Sequence, residues 1–276
     1  MTNIFTRVIR AFKTWREFKK MPLRVEFVLT DYCNLNCRGC THYSPLAAKE
    51  FADLDQTERA MQHIARVCGN KLKKVYLIGG ETLLYPRLAE AIEALARNFK
   101  TQELYVFTNG LLIPRLSHET WDAFKKNNVI MAITRYPIKF DYDAAIDLCR
   151  QKGVRTEIFG DRSMADSFFR FALDPAKKQN GKIGHFKCFN RGCISVIGTK
   201  MYPCSISACV GHLNKACSTD FKHEKGDYLV VDEITDVNQI LALRDSAVPF
   251  CDYCILPPSS VEYAPSQRKK SEWVDD

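Results

Sequence analysis

Residues Cys33-Asn-Leu-Asn-Cys37-Arg-Gly-Cys40 decide how this chain is read: three thiols within eight residues, just after the strand-like run Arg24–Thr30 (RVEFVLT). Three thiolates can hold three irons of a cubane [4Fe–4S] cluster and leave the fourth iron open to another ligand. A zinc ion in the same loop would want a fourth protein ligand, and His42 can supply one. Spacing alone leaves both metals open.

The pattern around this loop places it in a fold. A helix is expected from Asp55-Gln-Thr-Glu58, read as a capping-box variant, to about Cys68. Val75–Ile78 reads as a short buried strand ended by Gly79-Gly80, followed by a helix with Leu88, Ala91, Ile92, Leu95 and Phe99 on one face. Leu104–Phe107 is the next strand, stopped by Thr108-Asn109-Gly110. Ser117 caps a helix through Lys126, Val129–Thr134 is a strand, 141–152 a helix and Val154–Phe159 a strand. Strands alternating with helices at this spacing give repeated βα units and a parallel sheet curling towards a barrel, whose reactive end is the C-terminal edge of the strands. The cysteine loop, Gly79-Gly80-Glu81 and Thr108-Asn109 all fall at that edge. The rhythm is lost after about residue 160, where 160–185 reads as a linker, and the final third carries seven of the twelve cysteines.

Composition narrows the classes of function. The chain has 276 residues, 40 Lys and Arg against 32 Asp and Glu, 46% hydrophobic and 26% charged side chains. Disordered and fibrous classes are excluded. No run approaches the roughly 18 apolar residues of a membrane span. Cysteine, at about 4%, falls well short of a disulfide scaffold. The first 24 residues lack the apolar stretch and cleavage site of a secretion signal, so a reducing, cytoplasmic setting is expected. Residues 1–22 space Ile4, Phe5, Val8, Ile9, Phe12 and Trp15 as a basic amphipathic helix, suited to closing the core or to lying on an anionic membrane surface. No basic run interleaved with aromatics elsewhere suggests a nucleic-acid groove.

The spacing C-x3-C-x2-C, together with the two strand-end motifs in their order, resembles the radical S-adenosylmethionine (SAM) superfamily. The resemblance implies a partial (β/α)6 TIM-like barrel over residues 23–184, with Cys33, Cys37 and Cys40 on a SAM-binding [4Fe–4S] cluster. It implies that Gly79, Gly80 and Glu81 meet the methionine amine, that Thr108 and Asn109 meet ribose or sulfonium, and that Arg135 meets a carboxylate. Gly39 departs from the family's usual aromatic residue before the third cysteine; Tyr32 and Tyr43 are the substitutes at hand. A 5′-deoxyadenosyl radical and a one-electron reductant, flavodoxin or ferredoxin, belong to the same implication.

In the last third, Cys193–Cys204 looks like a β-hairpin turning at Gly198-Thr199, and Cys251-x2-Cys254 follows. This resembles the twitch domain, a shortened SPASM domain, which implies a small β-hairpin/helix auxiliary-cluster domain over 185–276. Cys193, Cys204, Cys251 and Cys254 are then the ligands of a second [4Fe–4S] cluster, with Cys188 as the alternative to Cys193 and a zinc ribbon as the alternative metal. Cys68 and Cys149 sit on helix faces as core residues. Cys209 and Cys217 are candidate hydrogen donors to a substrate radical. The function implied is oxidation or epimerisation of a carbohydrate-like small molecule; Arg162, Lys177, Lys178, Lys182, Lys187 and Arg191 hint at an anionic one. Peptide modification and a non-catalytic zinc module are the alternatives.

Overall fold

The run RVEFVLT forms the first and central strand because its β-branched and aromatic residues favour extended backbone, with Val25, Phe27 and Leu29 wholly buried on one face. The computed structural model describes residues 22–159 and 164–275; the N-terminal helix expected over 1–22 and the basic Arg162 lie outside them, save for Pro22. Strand β1 (Leu23–Thr30) is followed by α1 (Leu54–Cys68), β2 (Leu72–Gly79), α2 (Leu88–Asn98), β3 (Glu103–Thr108), α3 (His118–Lys126), β4 (Ile130–Ile133), α4 (Tyr142–Gln151) and β5 (Thr156–Ile158). Neighbouring strands among β1 to β5 pair in parallel, from Val25↔Val75 to Ile133↔Ile158. This is the curled, mostly parallel sheet expected of a partial TIM-like core.

Helix starts follow local chemistry. Ser117 caps α3 by accepting from Thr120 N at 3.3 Å, as expected. Helix α1 begins earlier than read from sequence: Asp53, in extended conformation, accepts from Gln56 N at 2.7 Å, and Asp55 lies in the first turn. Both aspartates suit a helix N-terminus, one as cap and one against the dipole.

The remaining elements are β6 (Ser167–Arg170), α5 (Gly181–Lys187), β7 (Ile194–Ile197), β8 (Lys200–Tyr202), α6 (Ser205–Cys217), β9 (Leu229–Val230), α7 (Val237–Asp245) and β10 (Ser259–Glu262). The hairpin β7–β8 turns where expected, but it is built into the main sheet. Strand β7 pairs in parallel with β1, Val25↔Ile194 to Phe27↔Val196, giving the order β5-β4-β3-β2-β1-β7-β8-β9. Residues on both sides of position 185 therefore share one sheet and one apolar core.

The stretch read as a linker holds a strand. Strand β6 pairs antiparallel with β10, Phe169↔Ser260 and Phe168↔Val261, as a separate two-stranded sheet. Beyond β10 the chain crosses the cysteine loop: Arg38 N donates to Ala264 O (2.9 Å), Ser266 N to Asn36 O (2.7 Å) and Trp273 Nε1 to Cys40 O (3.0 Å). Among the described residues no helix is long and apolar enough to cross a membrane.

Candidate active site

At the C-terminal ends of β1 to β4 lies a cavity of about 290 Å³ lined by all three thiols of the first cluster, Cys33, Cys37 and Cys40. Leu35 N donates to Cys33 Sγ at 3.3 Å and Asn109 Nδ2 approaches it at 3.7 Å. The Tyr263 hydroxyl bonds the Cys37 thiol, and Trp273 holds the Cys40 carbonyl. Burial pushes the Cys33 thiol up to about 12, with like charge from Glu81 and Cys40, and raises Cys37, with like charge from Cys40 and Cys33. Without a cation Cys33 and Cys37 stay protonated; a cluster's irons are what such a group of thiols accommodates. Three sulfurs facing one cavity is the donor set of a cubane with one open iron.

The strand-end motifs divide their work. A Cβ on Gly79 would stand 2.1 Å from Thr30 O, and one on Gly80 2.3 Å from Asp31 O, so only glycine lets β2 end this close to the chain leaving β1. Both glycines line the cavity, whereas Glu81 does not. The Glu81 carboxylate is buried and accepts from Leu83 N (2.9 Å), Thr108 Oγ1 (2.7 Å) and Asn109 N (2.8 Å). Burial lifts it to about 7 although these three donors favour the anion. It ties the end of β2 to the end of β3 and thereby sets Thr108 and Asn109 on the cavity wall. Arg135 turns away: its Nη2 pairs with Asp143 on α4, while its neighbours Thr134 and Tyr136 face the cavity.

Three features of the cavity had no sequence signal. Its floor is charged: Arg24 and Glu26, two residues apart on β1, point the same way, with Arg24 Nη2 2.8 Å from Cys193 Sγ and Ser195 Oγ donating to Glu26 Oε2 at 3.4 Å. Glu26 is 6% exposed, and burial raises its pKa against the pull of Arg24. The walls are aromatic: Phe107 meets Phe159 at 4.7 Å, and Tyr136 stacks on Phe168 at 5.7 Å. Tyr263, just after β10, closes against both Tyr136 and Phe168.

Residues 27–159 match the radical SAM superfamily. The chain carries a radical SAM domain. Its fold agrees with the crystal structure of BtrN in complex with AdoMet and 2-DOIA, with a TM-score of 0.54 at 14% identity, covering 85% of this chain and 93% of that one. GTP 3′,8-cyclase of Syntrophomonas wolfei is 32% identical over 123 residues, 41% of this chain and 35% of that protein. The same enzyme of Alkaliphilus oremlandii is 26% identical over 112 residues, again 41% and 35%. The chain thus spans about a third of the length of these curated relatives. A radical SAM domain uses a [4Fe–4S] cluster and SAM, and the three thiols and strand-end glycines fit that pair.

Behind the radical SAM cavity lies a smaller, almost wholly apolar one of about 40 Å³, lined by Cys188, Cys204, Cys251 and Cys254. Burial raises all four thiols, Cys251 to about 11; Cys188 adds like charge to the other three, while Arg191 pulls Cys188 itself down. Cys193 is not among its lining residues; it faces the main cavity beside Arg24.

The two candidate hydrogen donors do not line the main cavity. Cys209 is 2% exposed and its Sγ lies 3.4 Å from Asp31 Oδ1, while Cys217 sits at the far end of α6. Nor do the basic residues near the linker: Lys177 pairs with Glu224, Lys178, Lys182 and Lys187 are off the cavity, and Arg191 borders the second cysteine pocket. Cys68 and Cys149 are core residues, as expected.

Proposed function

We propose that this chain is a radical SAM enzyme that dehydrogenates a small hydroxylated, carbohydrate-like substrate held over the floor of the barrel. The observation that carries the reading is Glu26, a buried carboxylate on the cavity floor between Arg24 and Ser195. Bound to this chain, a [4Fe–4S] cluster with SAM supplies a hydrogen-abstracting 5′-deoxyadenosyl radical, and a second cluster on Cys188, Cys204, Cys251 and Cys254 supplies a one-electron acceptor. Oxidising a carbinol also releases a hydroxyl proton, and the Glu26 carboxylate, its affinity for protons raised by burial, is the group on the floor able to take it. Arg24 orients the hydroxyl and carries the positive charge that an anionic substrate group would meet. Phe107 and Phe168 line the cavity and narrow access to a radical that oxygen would divert.

Thiol return to the substrate, the route to epimerisation, is the second reading. It rests on Cys193, the thiol that does face the cavity floor. Turnover in D2O on a panel of aminocyclitols and sugars separates the two: a ketone product supports dehydrogenation, and solvent deuterium at carbon, lost in Cys193→Ala, supports epimerisation. Under dithionite, Glu26→Gln should still release 5′-deoxyadenosine from SAM while product formation falls about 100-fold or more. Wild-type product formation by Glu26→Gln would sink the assignment of the proton acceptor. Anaerobic reconstitution should give about eight irons per chain.

A further inference from the structure

Beside the radical SAM loop, where His42 borders the main cavity, three side chains of different chemistry meet. Asp31 Oδ1 lies 3.3 Å from His42 Nδ1 and 3.4 Å from Cys209 Sγ, and the thiol lies 3.7 Å from that nitrogen. Their ligand atoms all fall within 4.8 Å of one another, and all three side chains are largely buried.

Hydrogen bonds to Asp31 can fill two edges of this triangle but leave the third unbridged. An imidazole nitrogen either donates or accepts, and a thiol has one proton. If Cys209 and His42 both donate to the carboxylate, the sulfur–nitrogen edge has no proton in it. If Cys209 donates to His42, both edges to the Asp31 carboxylate have none. A shared cation satisfies all three edges at once.

The edge lengths identify the cation. Tetrahedral zinc with bonds of about 2.0 Å to nitrogen and oxygen and 2.3 Å to sulfur separates its ligand atoms by roughly 3.3 Å (N to O) and 3.5–3.6 Å (O to S and N to S). The observed 3.3, 3.4 and 3.7 Å form one face of that tetrahedron. The other carboxylate oxygen, Asp31 Oδ2, lies 2.9 Å from His212 Nε2, the kind of outer partner that fixes a ligating carboxylate. We propose that Asp31, His42 and Cys209 bind a zinc ion, with His212 orienting the carboxylate and the fourth position open.

The placement gives the site a purpose. Asp31 precedes Cys33 and His42 follows Cys40, so the metal would clasp both ends of the loop that presents the three thiols and fasten them to α6. It would fix the loop's register before any iron is loaded. The proposal does not depend on the reaction assigned to the chain.

The test uses the full chain, reconstituted anaerobically with iron and sulfide, given one equivalent of Zn2+ and desalted. About one zinc per chain should remain, and zinc X-ray absorption should show one sulfur ligand with nitrogen and oxygen making up the rest. Cys209→Ala and Asp31→Asn should each retain less than a tenth of that zinc, while Cys251→Ser with Cys254→Ser keeps it. No zinc on the folded, iron-loaded wild type overturns the proposal. So does a count of three sulfurs, which puts the metal in the Cys33–Cys40 loop, or four, which puts it in the second pocket. Should Cys209→Ala fail to fold, Asp31→Asn and the wild-type sulfur count decide. SAM cleavage is measured separately, so failure of the radical assignment leaves the zinc result readable.

Discussion

Replacing Gly80 by alanine should disable the site while changing one methyl group. The added Cβ would stand 2.3 Å from Asp31 O and 2.5 Å from Tyr32 O, both backbone atoms that no rotamer change can move. Reaching even a tight 3.0 Å contact requires the chain leaving β1 to retreat by about 0.7 Å. Two backbone hydrogen bonds cross that gap, Gly80 N to Thr30 O at 2.7 Å and Glu81 N to Tyr32 O at 3.0 Å, and both lengthen with it. Overpacking costs about 1–3 kcal/mol and each bond about 1 kcal/mol, a total of about 3–5 kcal/mol. At roughly 2–4 °C per kcal/mol for a chain near this size, the melting temperature should fall by about 6–20 °C. The shift also moves Cys33, one residue beyond Tyr32, and a displacement of that order at a reacting centre costs about 100-fold. The assay is anaerobic thermal unfolding followed by circular dichroism, with 5′-deoxyadenosine release measured below the transition. Gly211→Ala is the control: that glycine lies inside α6 with no atom within 4 Å of a built Cβ, so alanine should stabilise by about 0.5–1 kcal/mol. A Gly80→Ala protein that melts within about 2 °C of wild type and cleaves SAM normally would refute the close approach and the placing of Cys33 by it.

The other expectations concern the groups around that contact. Glu81 has a folded pKa near 7 against 4.5, so the stability it contributes is complete below about pH 4.5 and is lost as pH rises through 7; wild type should lose up to about 3 kcal/mol relative to Glu81→Gln between pH 5 and pH 8, and parallel stability–pH curves would contradict this. Trp273→Ala removes a ring that is 1% exposed together with its bond to the Cys40 carbonyl; unfolding should cost about 3–5 kcal/mol less, and the iron–sulfur absorbance should bleach faster in air. Unchanged bleaching would show that the C-terminal strap does not hold the loop.

What the sequence disclosed is what short-range pattern encodes. The run Arg24–Thr30, the helix capped by Ser117 and the hairpin at Gly198-Thr199 are each specified by residues within a few positions of one another, and each lies where expected. The cysteine loop and the strand-end glycines followed because a parallel βα repeat puts every strand end on one edge. Strand β6 escaped notice because its partner β10 lies far along the chain, and neither Ser167–Arg170 nor Ser259–Glu262 alternates strongly enough to be read alone. The charged floor escaped for a related reason: Glu26 in an apolar run looks like noise until Ser195 is known to be paired with it.

The two cysteines that competed for the second pocket show the same limit more sharply, because strand parity separates them. Ile194 pairs with Val25 and Ser195 with Glu26, so continuing the register puts Cys193 opposite Arg24. Side chains alternate along a strand, and Cys193 therefore shares a face with Ser195, Arg24 and Glu26, the face towards the barrel lumen. Cys188 precedes the strand, at the C-terminal cap of α5, and is free of that alternation. Its thiol reaches the pocket of Cys204, Cys251 and Cys254. Spacing favours Cys193 and Cys204 as a pair because a hairpin brings its two bases together, yet proximity of backbones does not fix the side on which a thiol emerges. That side is set by the parallel pairing of β7 with β1, a contact between residues about 170 positions apart. If Cys188 is the fourth ligand, Cys188→Ala should lose about four irons per chain and Cys193→Ala none; the reverse would mean that the second cluster forms only after the hairpin's edge has rearranged.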